Sequence, residues 1–265
     1  MWSELLLEAA SEARKRLLLL TKEPNRPSSE FDLTQYKKLL DIEAETAIEE
    51  ILKQNRFKGK IISEEAELQL GQSSKTRIIV DPLDGTNNLS RGIPLAAVSL
   101  CVSETKQFSG VKAGLIMNVY TGEAYSAEVG KGAFLDGKPI SSARLTSLSE
   151  AILSIDISKT SDVEPLKMLF RRAKHLRQLG SAALSLSFVA AGTLDAYVDV
   201  RGMIRITDVA AGLCILREAG GVIHIVGESL DSIELTREKR LSLIASANPA
   251  LMKEILGVLD LGAAQ

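Results

Sequence analysis

The sequence predicts a layered α/β protein, and three observations along the chain carry that prediction. Residues 4–20 have the apolar stripe of an amphipathic helix, and a second helix is predicted at about 36–54. Between about residues 60 and 137, short apolar runs alternate with turn dipeptides such as Thr121-Gly122. After this stretch, predicted strands and helices alternate. This order fits sheets with helices packed on their faces.

Each element follows from local patterning. The first helix places small and branched apolar residues on one stripe, namely Leu5, Ala9, Ala13 and Leu17. A break at 21–33 contains Pro24 and Pro27. The predicted strands of the first half are 61–62, 78–80, 96–102, 111–117 and 123–129. The second half is predicted to hold strands near 151–157, 176–179, 196–200 and 243–246, and helices near 163–173, 182–191, 209–218 and 249–259.

Composition argues against several classes of protein. The 265 residues are 45% hydrophobic and 25% charged, which is ordinary for a soluble globular protein. A formal net charge of −2 argues against a nucleic-acid-binding protein, which normally carries a basic excess. No apolar run approaches the roughly 18 residues of a membrane span, and Glu4 stands where a signal peptide carries bases. We therefore expect a cytoplasmic protein with no nucleic-acid or membrane partner, and buried free thiols at Cys101 and Cys214.

The most informative segment joins an apolar run, 78–80, to the string Asp81-Pro82-Leu83-Asp84-Gly85-Thr86. The pattern is that of a buried strand that ends at two carboxylates, with Pro82 fixing one backbone angle between them and Gly85 permitting a tight turn. Oxygen ligands in this arrangement suit a hard cation such as Mg²⁺. The backbone N–H groups and hydroxyl after the turn suit a phosphate. The alternative is a solvated β-turn, and the full string after an apolar strand favours the metal and phosphate site.

Three further segments occur in a recognisable order. They are Ser63-Glu64-Glu65, Gly180-Ser181-Ala182-Ala183, and Thr207-Asp208-Val209-Ala210-Ala211-Gly212 running into residues 217–221. Together with the first motif, they resemble the inositol monophosphatase family, whose larger group includes fructose-1,6-bisphosphatases. The resemblance covers nearly the whole chain. It implies a five-layered α-β-α-β-α sandwich in one domain, 1–265, with subdomains of about 1–139 and 140–265 and the active site where they meet.

The resemblance also implies the metal ligands, which are Glu64, Asp81, the Leu83 carbonyl, Asp84 and Asp208. By sequence alone, Glu64 is equally a surface residue of an acidic run, and Asp208 is explained by its place in a first helical turn, with Thr207 as N-cap. The family usually has Trp where this chain has Thr207, which affects local packing more than the ligand. The implied cofactor is Mg²⁺, two or three ions per site, with Mn²⁺ as a possible substitute.

Catalysis in the family implies roles for Glu64, Thr86 and Asp41. Asp41 fits by register on the second predicted helix, where a solvated helix face is the alternative reading. It would pair with Thr86 to orient a water molecule activated near Glu64. Divalent ions would offset the carboxylate charge that otherwise repels a phosphate. Positioning and electrostatic stabilisation then supply the catalysis, without a covalent nucleophile.

The implied substrate contacts lie in both halves of the chain: Gly85, Thr86, Gly180, Ser181, Ala182, Asp199 and Arg201. The stretch 195–208 is longer than in animal-type enzymes and resembles archaeal-type enzymes that act on inositol monophosphate and fructose 1,6-bisphosphate. Arg201 or Arg205 would bind a second phosphate, unless both are surface residues. The break at 21–33 matches a mobile loop of the family, with a plain surface loop as the alternative.

The sequence thus predicts a Mg²⁺-dependent phosphomonoesterase that hydrolyses inositol 1-phosphate, fructose 1,6-bisphosphate or both. Two alternatives stay open. One is a 3′-phosphoadenosine 5′-phosphate phosphatase, although Asn87-Asn88-Leu89 is closer to the inositol phosphatase pattern. The other is a catalytically silent phospholigand-binding subunit on the same fold. The resemblance further implies a homodimer acting on a small sugar or cyclitol phosphate.

Overall fold

Two β-sheets, with helices on and between their faces, organise the chain. The computed structural model describes residues 2–21, 30–64, 66–72, 75–160 and 162–260, without the side chains of 30 and 31. The α-helices of this part are α1 (Trp2–Thr21), α2 (Glu30–Gln54), α3 (Thr86–Arg91), α4 (Lys167–Arg172), α5 (Ala182–Ala190), α6 (Ile206–Glu218) and α7 (Pro249–Val258). Within the described ranges, no helix has the length and apolar character needed to cross a bilayer.

The first sheet contains eight strands in the order β2-β1-β3-β4-β5-β6-β7-β8. They are β1 (Gly59–Ile62), β2 (Glu67–Leu70), β3 (Arg77–Asp84), β4 (Ala97–Ser103), β5 (Val111–Asn118), β6 (Ala124–Glu128), β7 (Ala133–Leu135) and β8 (Lys138–Ile140). All neighbours are antiparallel except β1 and β3, which run parallel.

The second sheet contains five strands in the order β10-β9-β11-β13-β12. They are β9 (Ile152–Ile155), β10 (His175–Arg177), β11 (Ala196–Arg205), β12 (Val222–Ile225) and β13 (Arg240–Ser246). Strands β9, β10 and β11 run parallel to one another, and β13 is antiparallel to both of its neighbours.

Five layers result from how the helices cover these sheets. Helices α1 and α2 pack on one face of the first sheet, and α6 packs on the other. Helices α5 and α6 also contact the second sheet, whose far side is covered by α7 with α4 beside it. Three buried apolar clusters fill the spaces between these layers. The α-β-α-β-α architecture predicted from the resemblance is confirmed.

A β-bulge in β3 directs the two carboxylates of the first motif toward the central helices. Asp81 pairs with Ser99 and Asp84 with Ala97, so three steps along β3 match two along β4. On a regular strand, side chains three residues apart point to opposite faces. The extra residue of the bulge brings both carboxylates to the same face of the sheet. Pro82 has no N–H to donate to the neighbouring strand, so interrupting the strand pairing at this position loses no hydrogen bond from that residue. The bulge therefore places Asp81 and Asp84 on the α5–α6 side.

Most predicted elements are present with shifted ends, and four strands were missed. The missed strands are β2, β7, β8 and β12. They are three or four residues long and half-exposed, so no sustained apolar run marks them. The predicted helix at 163–173 is a 3₁₀ turn, Glu164–Leu166, followed by α4. Helix α2 begins at Glu30, and most of the predicted loop at 21–33 lies outside the described residues.

Candidate active site

Asp84 lies against the N-terminus of α5, which comes from the other half of the chain. The Ser181 hydroxyl donates to Asp84 Oδ2 at 2.6 Å, and the Ala183 N–H donates to the same oxygen at 2.7 Å. Ser181 is the N-cap of α5, because its Oγ also accepts the Leu184 N–H at 3.2 Å. The positive end of the α5 dipole adds to these contacts. The N-terminus of α5 thereby fixes the orientation of the carboxylate at the end of β3.

Asp208 lies in the first turn of α6, and its carboxylate accepts hydrogen bonds from residues at the start of the same helix. Its Oδ2 accepts the Arg205 N–H at 3.3 Å, and its Oδ1 accepts the Thr207 hydroxyl at 3.0 Å. The helix begins at Ile206 with Arg205 as N-cap, so the prediction that Thr207 caps the helix is wrong. The Asp208 carboxylate accepts the N–H of the N-cap residue, which is the N3 half of a capping box, so no capping hydroxyl marks this helix start in the sequence.

Three aspartates lie near one another: Asp81 is buried, whereas Asp84 and Asp208 are half-buried and line a cavity. Burial, with the nearby Asp208 and Asp84 carboxylates, raises the pKa of Asp81 well above its ordinary value. Burial raises the pKa of Asp84 to about 7, against the opposing hydrogen bond from Ser181. Burial also raises the pKa of Asp208. Clustered carboxylates whose ionised forms are disfavoured in this way are the donor set that a hard divalent cation neutralises. The residues present therefore fit such an ion.

Glu64 stands apart from these three carboxylates. It follows β1, as expected, but its carboxylate is ion-paired with the Arg205 guanidinium. Burial lowers the pKa of Arg205, and the neighbouring Arg240 and Arg237 act in the same direction. Across the ranges that the structure describes, no three acidic, histidine or cysteine side chains stand close enough to form a metal-binding group. The carboxylates are therefore not gathered around one point in this structure, and Glu64 is directed to Arg205.

Thr86 and Asp41 lie together, although they are far apart in sequence. The Thr86 hydroxyl is 3.1 Å from Asp41 Oδ1 and 2.9 Å from the Leu83 carbonyl oxygen. Asp41 also lies close enough to Asp81 to raise the pKa of that carboxyl. Helix α2 thus brings its acidic residue to the turn that ends β3. The Thr86 hydroxyl thus lies between the Asp41 carboxylate and a backbone oxygen near the end of β3.

A cavity of about 730 Å³ opens beside these residues. Its lining includes the acidic residues Glu64, Asp84 and Asp208 and the basic residues Lys159, Arg201, Arg205 and Arg240. Gly180 and Ala182 also line it, as do Asn88, Asp156 and Gln178. The cavity wall thus carries side chains of both signs, and Glu64 with Arg205 and Asp156 with Arg201 form ion pairs there.

The comparisons with known proteins agree with this arrangement. The profile of the inositol monophosphatase family matches residues 4–260. A fructose-1,6-bisphosphatase/inositol-1-monophosphatase of Methanothermobacter thermautotrophicus is 36% identical over 84% of this chain and 83% of its own. A protein of the same description from Thermococcus kodakarensis is 33% identical over 96% of each chain. A solved Pyrococcus horikoshii structure, described as similar to inositol-1 monophosphatase, has a TM-score of 0.79 at 27% identity over 100% of this chain and 98% of its own.

The chain belongs to the inositol monophosphatase family. It is therefore a phosphoric monoester hydrolase of a metal-dependent family that acts on small phosphorylated substrates.

On the substrate side of the cavity, Asp199 does not have the exposure that its predicted contact with substrate requires. It is fully buried, and the Arg201 guanidinium occupies both of its carboxylate oxygens. A substrate hydroxyl cannot reach it, so the predicted contact is corrected. Arg201 lines the cavity, but its guanidinium N–H groups already donate hydrogen bonds to Asp199 and to the Ser158 carbonyl. Sequence reasoning could not foresee this pair, because alternation along β11 was equally compatible with exposure.

Ser181 is only 2% exposed and bonds to Asp84, whereas Gly180 and Ala182 line the cavity. Gly85 has φ +85°, and a Cβ there would lie 2.7 Å from the Leu95 carbonyl oxygen, so the turn requires glycine. Lys159 and Arg240 are among the cavity residues that the sequence analysis missed. Both lie in polar stretches with no motif, and only the fold brings them to the cavity.

Proposed function

We propose that this protein is a divalent-cation-dependent phosphatase of inositol 1-phosphate and fructose 1,6-bisphosphate. The observation that carries the proposal is the group of three carboxylates Asp81, Asp84 and Asp208: burial raises the pKa of each, and the nearby Asp208 carboxylate adds to the increase at Asp81 and Asp84. Such a group is costly unless a cation neutralises it. The family relatives that carry both activities in their names support the choice of substrates.

We assign the cation ligands to Asp81, the Leu83 carbonyl, Asp84, Asp208 and Glu64, with Mg²⁺ as the ion, two or three per site, and Mn²⁺ as a substitute. When bound, the ions supply charge stabilisation for the phosphate and a lowered pKa for water. The remaining work falls to side chains of this chain. Asp41 accepts a proton or a hydrogen bond through Thr86, whose hydroxyl orients a nucleophilic water toward the phosphorus.

The substrate alcohol is assigned to the wall formed by Gly180 and Ala182, where small side chains leave room for a sugar or cyclitol ring. Backbone N–H groups at Gly85 and Thr86 receive the reacting phosphate. Lys159 and Arg240 are assigned to a second phosphate. Neither is ion-paired to an acidic residue in the part of the chain that the structure describes. A cavity of about 730 Å³ is large enough for a bisphosphate.

The test is phosphate release with Mg²⁺ from inositol 1-phosphate, fructose 1,6-bisphosphate and 3′-phosphoadenosine 5′-phosphate. Turnover of the first two, abolished by chelation and by Asp84→Asn, is the expected result. Turnover of the nucleotide alone would reassign the substrate class. Bound metal with no turnover of any substrate would instead indicate a silent binding subunit.

We also propose that the protein is a homodimer. Its support is a segment beside the edge strand β10 that exposes the apolar side chains of Val163, Met168 and Phe170. Sedimentation of the wild type and of Phe170→Glu tests it. A dimer that the substitution dissociates is the expected result, and a monomeric wild type would refute the proposal.

A further inference from the structure

Asp84, at the end of β3 in the first half of the chain, is held by α5 in the second half. Both of its donors, the Ser181 hydroxyl and the Ala183 N–H, reach Oδ2. Among the described residues, Oδ1 therefore has no donor, and Asp84 lines the cavity. The orientation of a proposed cation ligand thus depends on a residue that is buried and does not face the substrate.

A second link joins the same two segments. The Asn88 amide, on α3, donates to the Leu179 carbonyl and to the Leu95 carbonyl, each at 2.8 Å. Gly180 has φ +68°, and a Cβ at that position would come within 3.1 Å of the Asn88 amide nitrogen. The turn before α5 is therefore held closely against the turn after β3. Relative movement of the two turns would break charge-assisted hydrogen bonds in a buried setting.

We infer that Ser181 is a positioning residue that couples cation binding at Asp84 to the placement of the substrate wall at Gly180 and Ala182. Its hydroxyl donates to the carboxylate while its oxygen caps the helix whose first turn lines the cavity. A cation that restrains Asp84 thereby also restrains the start of α5. This inference rests on the proposed function, because it takes Asp84 to be a cation ligand.

The experiment separates positioning from capping by the choice of substitution. Ser181→Gly removes the donor to Asp84, but glycine is tolerated at an N-cap at a cost of only a few tenths of a kcal/mol relative to serine. Ser181→Thr retains both the donor and the cap. The control is Asn248→Gly, which removes the side-chain cap of α7 at Leu251 N and the Asn248 amide's hydrogen bonds to the Ala143 and Leu145 carbonyls, all outside the cavity lining. Each full-length protein is titrated with Mn²⁺ by calorimetry, and kcat and KM are measured with inositol 1-phosphate.

We expect Ser181→Gly to weaken Mn²⁺ binding by about tenfold and to raise KM by a similar factor, because both ends of the coupling are loosened. Ser181→Thr should restore both quantities to within about twofold of the wild type. Asn248→Gly should lower the melting temperature and leave Mn²⁺ affinity unchanged. Wild-type affinity and KM in Ser181→Gly, or an equal loss of affinity in Asn248→Gly, would overturn the inference. The wild-type titration itself tests the proposed function: no Mn²⁺ binding there would refute that proposal, whatever the variants do.

Discussion

Arg201 and Asp199 stand two residues apart on β11 and form a two-point ion pair, with Nε 2.9 Å from Oδ1 and Nη2 2.6 Å from Oδ2. Nη1 also lies 2.6 Å from the Ser158 carbonyl oxygen and 3.0 Å from Asp156 Oδ1. The hydrogen bond to Asp199 raises the pKa of Arg201. Arg201 is therefore the counter-charge of a fully buried carboxylate.

Arg201→Ala should destabilise the protein and not discriminate between substrates. It leaves the buried Asp199 carboxylate without its charged partner and with only the backbone N–H of residue 201 as donor, which costs about 3–5 kcal/mol of unfolding free energy. Urea denaturation measures this loss, and adding Asp199→Asn should recover part of it. Unchanged stability with a selective loss of fructose 1,6-bisphosphate turnover would contradict the structural role and favour direct phosphate binding.

Lys159→Gln and Arg240→Gln should each raise KM for fructose 1,6-bisphosphate by about tenfold, since each removes one charged contact to the second phosphate. KM for inositol 1-phosphate should change by less than about twofold, because that substrate has no second phosphate. Steady-state kinetics on both substrates provides the check. Lys253→Gln, at an exposed position of α7, is the matched control for loss of one positive charge. Equal effects on both substrates would place these residues elsewhere in the mechanism.

Thr86→Val should reduce kcat by about 10²–10³-fold, because it removes the hydroxyl that joins Asp41 to the proposed nucleophile. Thr86→Ser keeps the hydroxyl and should retain most of the activity. Calorimetry with Mn²⁺ shows whether metal binding survives in both variants. If Thr86→Val loses activity only through lost metal affinity, the pair is structural and the catalytic assignment fails.

Glu128 should give the protein a pH-dependent stability term that is unrelated to the cavity. Hydrogen bonds from Lys131 and from the Ser3 hydroxyl of α1 lower the pKa of Glu128 to about 2. A carboxyl with a lowered folded pKa contributes stability above its ordinary value near 4.5, and that contribution is lost as pH falls toward 2. Glu128→Gln should therefore be less stable than the wild type at pH 7, with a gap that narrows below pH 4.5.

Urea unfolding of Glu128→Gln and of the wild type between pH 7 and pH 3 measures that gap. Glu238→Gln, at an exposed glutamate, serves as the control and should show no such narrowing. A constant gap across the range would mean that Glu128 stabilises the contact between α1 and β6 by packing and not by charge.

Much of the fold was predictable because its signals are local. The helical stripe of α1 and the apolar runs of β3, β4 and β5 depend on periodicities of a few residues. The half-exposed strands carry weaker signals, and neighbouring strands stabilise them through ladder hydrogen bonds that no pattern along the chain reveals. The division into subdomains of about 1–139 and 140–265 stays a prediction. Helices α5 and α6, from the second half, contact both sheets.

The turn that ends β3 follows from its own residues, because Pro82 has no N–H to donate and glycine at position 85 permits the positive φ of the turn. The partner of each charged side chain, in contrast, depends on the tertiary structure. Asp84 bonds to Ser181, Glu64 to Arg205, and Asp199 to Arg201. How strongly one charged group stabilises another depends on the distance between them and on their burial. The packing of segments distant in the sequence sets both.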